Sequence, residues 1–354
     1  MPPWFYLFVF TILYGAVWSY IGILKMLSLN AYVFDLGISA ERGWQILHTN
    51  LGLHGYITTL LNSGIVFPMS PLTGSGNFYA MIIFQAFSIA FVGPGLYFIS
   101  KLKGISPKVS LLVSVAFFLY FPVYGIMWFD FHYQVFFLPL FIFGYLLYLR
   151  KNYYASIVLF FLSGAVRYPY SIFPMVFAFM ELILIYRKNS FSADRKSAFS
   201  MIALFAMTLS WTLLGFLFFG ASNTIPHDDI SLYTATYVSL WSRVLVILLF
   251  LFPLLFLPVL RLRWIVMALP AFFLFITSSY TWYTYPNVFQ GQYVTGVVPF
   301  LFLGLIDYLA TTGKKKQNDR RVLFRSVKSI RKISSMPIIA SVIVILIFRI
   351  VFLW

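Results

Sequence analysis

"WFYLFVFTILYGAVWSYIGILK", residues 4–25, meets no charged side chain until its last position, Lys25. Coiled as a helix rising about 1.5 Å per residue, such a run crosses the roughly 30 Å hydrocarbon core of a bilayer. No basic residue precedes it and no small-residue cleavage site follows it, so it is expected to be retained rather than removed as a signal peptide. The rest of the chain continues in the same way: 61% of its 354 residues are hydrophobic, 10% are charged, and the mean hydropathy is +0.90. A water-soluble fold cannot hide that much apolar surface. Within lipid every backbone polar group needs an internal partner, and apolar runs of about twenty residues select helices over barrel strands.

The expected fold is therefore all-α, a single transmembrane domain over residues 1–354. Beyond 4–25 the candidate spans are 77–100, 108–128, 132–149, 153–168, 170–186, 198–219, 236–260, 264–280, 293–311 and 336–353, about 11 helices in all. With the N-terminus in the cytoplasm, alternate loops collect Lys101, Lys103 and Lys108, then Arg150 and Lys151, then Arg187, Lys188, Arg195 and Lys196, then Arg261 and Arg263. The basic run of the loop at about 312–335 falls on the same side, which therefore holds most of the 25 Lys and Arg residues, as the positive-inside rule requires. The formal charge of +16 is accounted for by cytoplasmic loops at a cell membrane, and nucleic acid is not an expected partner. The absence of cysteine excludes disulfides, thiolate metal sites and cysteine nucleophiles.

The same register sends Asp35, Glu41, Asp130, Asp228 and Asp229 outward, together with His48, His132 and His227, and leaves His54 just beyond the first loop. That loop, about 26–76, is long for a membrane hairpin, and long ordered loops carry function. Leu36, Ala40, Trp44 and Leu47 recur at helical spacing within it, with Glu41, Gln45 and His48 on a second stripe, so a helix in the membrane interface is expected, with Arg42 on it. Asp35 precedes that helix by several residues and sits at membrane depth, where an unpaired carboxylate costs several kcal/mol, roughly.

"MWFDFHYQ", residues 127–134, squeezes Asp130 and His132 between two spans. Two residues apart, they could hydrogen-bond to each other, contribute to a metal site, or end two helices in water. Arg167, ahead of Tyr168 and the helix-breaking Pro169, either snorkels or holds a phosphate in its planar fork. The same two readings apply to Arg243, some way into its span. Glu181, Asp307 and Arg349 lie near membrane edges and are expected to snorkel or pair locally. His227 and Gln292 lie in later outward loops among tyrosines, a composition that suits sugar stacking or an ordinary aromatic belt. No P-loop, HExxH or GxSxG signature is present, which removes most support from ATP-driven transport and zinc proteolysis.

"FDLGI" (34–38), Trp44, Gln85 in "IIFQAF" and "FDFH" (129–132) occur in the order that resembles the polytopic membrane family defined by the domain of unknown function numbered 2079. The resemblance covers roughly residues 30–185, with a weaker echo in "GQYVTGVVPFLFLG" (291–304). That family is itself similar to a distant branch of the GT-C glycosyltransferases, which use sugars carried on polyprenyl phosphate and place an acidic residue in the first external loop. The resemblance implies Asp35 as the base, with Asp130 and His132 in support. The chain departs from the family at "RYP" (167–169), where two acidic residues are usual after the basic one, and at "LHGYI" (53–57), where His-Phe-Ser-Pro is usual.

The function expected is glycosyl transfer from a polyprenyl-phosphate donor to a glycan or protein acceptor at the extracytoplasmic face. Asp35 takes the acceptor proton, Arg243 or Arg167 stabilises the departing phosphate, and Glu41, Arg42, His48, His54, Asp130, His132, Tyr168, His227 and Gln292 line the substrate. Asp35, Asp130 and His132 could also supply ligands to a divalent cation if their loops converge. The alternatives are a transporter or lipid-handling protein, given the prolines at 94, 122, 139, 174, 253 and 270 within spans, and a non-catalytic assembly partner.

Overall fold

The computed structural model describes residues 2–30, 33–187, 195–219, 240–277, 289 and 291–318, and these form helices and turns with no strand among them. Helix α1 is Pro3–Leu27, and α2 (Val33–His48), α3 (Gly52–Ser63) and α4 (Val66–Thr73) follow in the first long loop. Next come α5 (Phe78–Ala90), α6 (Val92–Leu102), α7 (Pro107–Phe118) and α8 (Phe121–Trp128). The chain continues with α9 (Phe137–Leu149), α10 (Tyr153–Gly164), α11 (Ile172–Arg187) and α12 (Arg195–Phe219). Helices α13 (Leu240–Leu251), α14 (Leu262–Thr277) and α15 (Val298–Asn318) follow among the described residues.

Among the described residues three stretches are long and apolar enough to cross a membrane: Pro3–Leu27, Phe78–Leu102, which joins α5 to α6, and Arg195–Phe219. A fourth, α7 with α8, is bent by 50° between them. Pro122 falls in the first turn of α8, where its missing N–H leaves no bond unmade but the chain before it cannot continue α7. Prolines explain other shortfalls against the eleven expected spans. Pro139 and Pro174 sit in the first turns of α9 and α11, and Pro253 ends α13 in 3-10 turns, so residues 236–260 do not form one span. The expected span at 336–353 lies outside the described residues.

α9 runs through the interior, burying Phe137, Phe141, Ile142 and Tyr145. Small residues let its neighbours approach: a Cβ on Gly95 of α6 would lie 2.8 Å from Ile142 Cγ2, and one on Gly144 would lie 3.1 Å from the Phe160 ring of α10. Serine hydroxyls hydrogen-bond between helices as well, from Ser156 of α10 to the Gly144 carbonyl of α9 (2.9 Å) and from Ser114 of α7 to the Gly93 carbonyl of α6 (2.8 Å). Packing of this kind replaces the hydrophobic effect where lipid is as apolar as the protein.

The first long loop holds three helices rather than one. α2 buries Leu36 and Ala40, whereas Trp44 and Leu47 from the same expected stripe are exposed. Gly43 makes the close packing of α2 against α4 possible: a Cβ there would collide with Thr73 Oγ1 and come within 2.6 Å of the Gly74 nitrogen. Gly43→Ala is therefore expected to lower stability by about 1–3 kcal/mol, the usual cost of overpacking, read as a lower unfolding temperature in detergent.

Candidate functional site

Three backbone segments meet at one end of α9. The first is α2, which starts at Val33 and so takes in Asp35 instead of beginning beyond it; Asp35, Ser39 and Arg42 follow at intervals of four and three and share a helix face. The second is the non-helical corner Phe129–His132 between α8 and α9. The third is Ala165–Tyr168, just past α10.

Each segment is fixed by hydrogen bonds to distant parts of the chain. Tyr133 donates its hydroxyl to the Ser39 carbonyl of α2 (2.8 Å) and to Thr73 Oγ1 of α4 (3.2 Å). Gln85 of α5 braces the corner from the other side: its Nε2 donates to the Phe129 carbonyl at 3.3 Å, and its Oε1 accepts from the His132 N–H at 2.9 Å. Lys25, in the last turn of α1, donates to the Trp128 carbonyl (2.8 Å) and pairs with Asp130 Oδ1 (3.1 Å), both side chains being almost wholly buried. The third segment is stitched to the end of α3: Ser63 Oγ donates to the Val166 carbonyl (2.6 Å), Tyr168 N–H to the Asn62 carbonyl (2.6 Å) and Ile65 N–H to the Ala165 carbonyl (3.2 Å). These bonds end α10 at Gly164, short of the span expected to reach 168. Gln134, with its amide oriented to accept, takes hydrogen bonds from Arg167 Nη1 and Nε at 2.7 and 3.2 Å.

Asp35 consequently stands within electrostatic reach of Asp130, Arg167 and Arg42, and His132 within reach of the same two arginines. Burial, then the negative charge of Asp130, raises the Asp35 carboxyl above its ordinary value, against the opposing pull of Arg167 and Arg42. Burial, then the like charge of Arg167, draws Arg42 below the ordinary arginine value, against the opposing pull of Tyr133, Glu41 and Asp35. Neither arginine has a carboxylate within ion-pair distance among the described residues. An anion accepting from both guanidiniums would relieve their mutual repulsion.

His132 is the neutral member of the group. Burial, then Arg167 and Arg42, lowers its imidazole from 6.5 to about 3, and its Nδ1 is shielded from solvent with no hydrogen-bond partner among the described residues. The unfolded chain takes up a proton near 6.5 whereas the folded one does not until about 3, so this group's stabilisation is present above 6.5 and is lost as pH falls towards 3. His132→Gln should flatten the loss of thermal stability between about pH 7 and pH 4 relative to wild type, measured as unfolding temperature in detergent.

Glu41, next to Arg42, also pulls on its charge, and the other expected site residues are placed apart from this cluster or lie outside the described residues. Glu41 accepts a hydrogen bond from Gln45 Nε2 (3.0 Å) on the exposed side of α2; His48 stacks near Trp44 with ring centroids 5.2 Å apart, and His54 is also exposed. Tyr168 is buried, its ring filling the space beside Gly215 of α12. Gln292 is buried near the start of α15, its Oε1 shielded and without a hydrogen-bond partner among the described residues. Arg243 donates Nη1 to the Ile276 carbonyl of α14 and is not among the charges acting on Asp35, Arg42 or His132. His227 lies outside the described residues.

No three His, Asp or Glu side chains come together in a metal-holding arrangement among the described residues, so Asp35, Asp130 and His132 do not form the trio considered for a divalent cation. Asp130 is engaged by Lys25 instead. At the other end of α9, Glu181 and Asp307 are locally paired: Arg263 Nη2 with Glu181 Oε1 at 2.9 Å, and Lys103 with Asp307 Oδ1 at 3.1 Å, where Trp264 Nε1 also donates to Oδ2 at 2.7 Å.

Sequence reasoning missed Lys25, Gln134 and Tyr133. Lys25 reads as an ordinary basic residue closing a span, and nothing local announces a partner more than a hundred residues away. Gln134 and Tyr133 follow directly on "FDFH", and that adjacency was the available signal.

A family model described as a predicted membrane protein (DUF2079) matches residues 46–343, which takes in the corner and Arg167 and begins beyond Asp35 and Arg42. No curated protein and no solved structure matches the chain.

Proposed function

This chain belongs to the DUF2079 family of membrane proteins, and from that premise we propose that it is a GT-C-like glycosyltransferase that moves a sugar from a polyprenyl-phosphate donor to a glycan or protein acceptor at the extracytoplasmic face of the cell membrane. The observation that carries this reading is the nearness of Arg42 to Arg167, two guanidiniums with no carboxylate at ion-pair distance among the described residues, beside the half-buried Asp35. In the reaction proposed, the bond between the anomeric carbon and the phosphate oxygen breaks as the acceptor oxygen attacks. Asp35 takes the acceptor's proton, and the phosphate leaves with the electron pair onto the two guanidiniums. Arg42 thus takes the place in the mechanism that Arg243 had in the sequence reading.

Support for the orientation comes from the polarity of α9. It begins beside the corner and ends near Lys103, Arg150 and Arg263, on the side that the distribution of basic residues assigns to the cytoplasm. A donor carried on lipid phosphate needs no cytoplasmic nucleotide, in keeping with a site on the outer face.

Native mass spectrometry of protein purified from its own membranes tests the reading. A bound polyprenyl phosphate is expected on wild type. Its absence there, with ordinary phospholipids retained, would count against the proposal.

A further inference from the structure

We propose that Gln134 is a positioning residue: its buried, uncharged amide holds the Arg167 guanidinium in place without cancelling its charge, leaving it free to grip an anionic ligand together with Arg42. The inference rests on the anion-binding reading of the site. Gln134 is 3% exposed, and its amide oxygen, oriented to accept, takes two bonds from the guanidinium, from Nη1 at 2.7 Å and from Nε at 3.2 Å. Two bonds to one acceptor fix the plane of the fork and leave its other N–H donors for a ligand.

The turn that carries Gln134 also tethers the segment bearing the other arginine. Tyr133–Phe136 is a 3-10 turn, whose successive side chains leave the axis about 120° apart, so Tyr133 and Gln134 reach different neighbours. Tyr133 donates to the Ser39 carbonyl of α2, a turn before Arg42, and stands near enough to act on the Arg42 charge. Gln134 holds Arg167, which acts on Arg42 from its own side. Two adjacent side chains of one short turn thus set both guanidiniums. A carboxylate in place of the amide would accept the same two bonds, but its charge would satisfy Arg167 and repel an incoming phosphate. The amide supplies the bonds without the charge.

The test is titration of the purified protein with farnesyl phosphate, read by native mass spectrometry, alongside thermal unfolding. Gln134→Glu keeps the shape of the side chain and both acceptor bonds, so a merely structural role would survive it. Binding should nevertheless weaken by about tenfold or more, the order expected when like charges are brought together. In an Arg167→Gln background the same substitution should cost no more than about threefold, because its effect runs through Arg167. Gln134→Met fills the space but accepts nothing; the guanidinium is released and binding should weaken by about three- to tenfold.

Should Gln134→Glu fail to fold, Gln134→Met decides: weaker binding that depends on Arg167 supports the proposal, and any other result overturns it. Tighter binding by Gln134→Met would show that the amide competes with the ligand instead of presenting the guanidinium to it. Unchanged binding by a folded Gln134→Glu variant, or an equal loss with Arg167 already replaced, overturns the proposal also. Wild-type protein that does not bind farnesyl phosphate, or binds it regardless of Arg42 and Arg167, overturns the anion reading and this inference with it. Arginine-dependent binding that ignores Gln134 overturns only the role of Gln134.

Discussion

Asp35→Asn is expected to abolish glycosyl transfer while leaving the affinity for the phosphate-bearing lipid nearly intact. A positioned general base contributes about 10²–10⁴-fold to rate, and asparagine preserves the shape of the side chain while removing its capacity to take a proton. Leu36 is buried against the bundle, and among the described residues Asp35 holds no ion pair, so the substitution leaves α2 in place. The wild-type pH profile carries the same signature. Burial and the charge of Asp130 raise the Asp35 carboxyl above 3.8, so the base is spent at acid pH and the rate rises as pH climbs through that raised value. His132, lowered to about 3, adds no limb near the ordinary histidine value. Transfer of a radiolabelled sugar from its polyprenyl-phosphate carrier in vesicles measures both. Retained turnover in Asp35→Asn would remove the assigned base and favour a lipid-handling protein that performs no chemistry.

The second large effect belongs to the arginines. Each hydrogen bond from a charged group contributes roughly 1.5–3 kcal/mol, so Arg42→Gln and Arg167→Gln should each weaken farnesyl phosphate binding by about tenfold or more. The double variant should lose about 10²-fold or more, with departure from additivity because both guanidiniums grip one phosphate. Arg42→Gln is the cleaner of the two, since Arg42 is exposed whereas Arg167 also holds the Gln134 amide. Arg243→Gln serves as the contrast: its bond runs to the Ile276 carbonyl, and binding should be unaffected. Loss of binding in Arg243→Gln with full binding in the double variant would reverse the assignment.

The helical membrane character was legible from the first apolar run onward, and "FDLGI" and "FDFH" do converge, since Asp35 and Asp130 act on each other. Arg167 was legible because a basic residue ahead of a helix-breaking proline is conspicuous. Arg243 was placed by depth alone, but depth along a helix does not say which way the residue faces, and α13 directs it to α14. The boundaries of the spans escaped for a related reason. Hydropathy registers apolar length and is blind to tertiary bonds such as those from Asn62, Ser63 and Ile65 that pull residues 165–168 out of α10. Lys25 was hidden most completely, because a buried ion pair between the end of α1 and a distant corner leaves no local pattern.

The most direct measurement is photo-crosslinking. A polyprenyl phosphate bearing a diazirine next to its phosphate would be activated in vesicles containing the wild-type protein, and the adducts mapped by peptide mass spectrometry. Adducts are predicted on α2 around Arg42, on the corner around His132 and on the segment holding Arg167, with all three displaced by excess farnesyl phosphate. Adducts confined to the lipid-facing surfaces of α1 and α12, or centred on Arg243, would contradict the claim that this corner holds a lipid-borne phosphate.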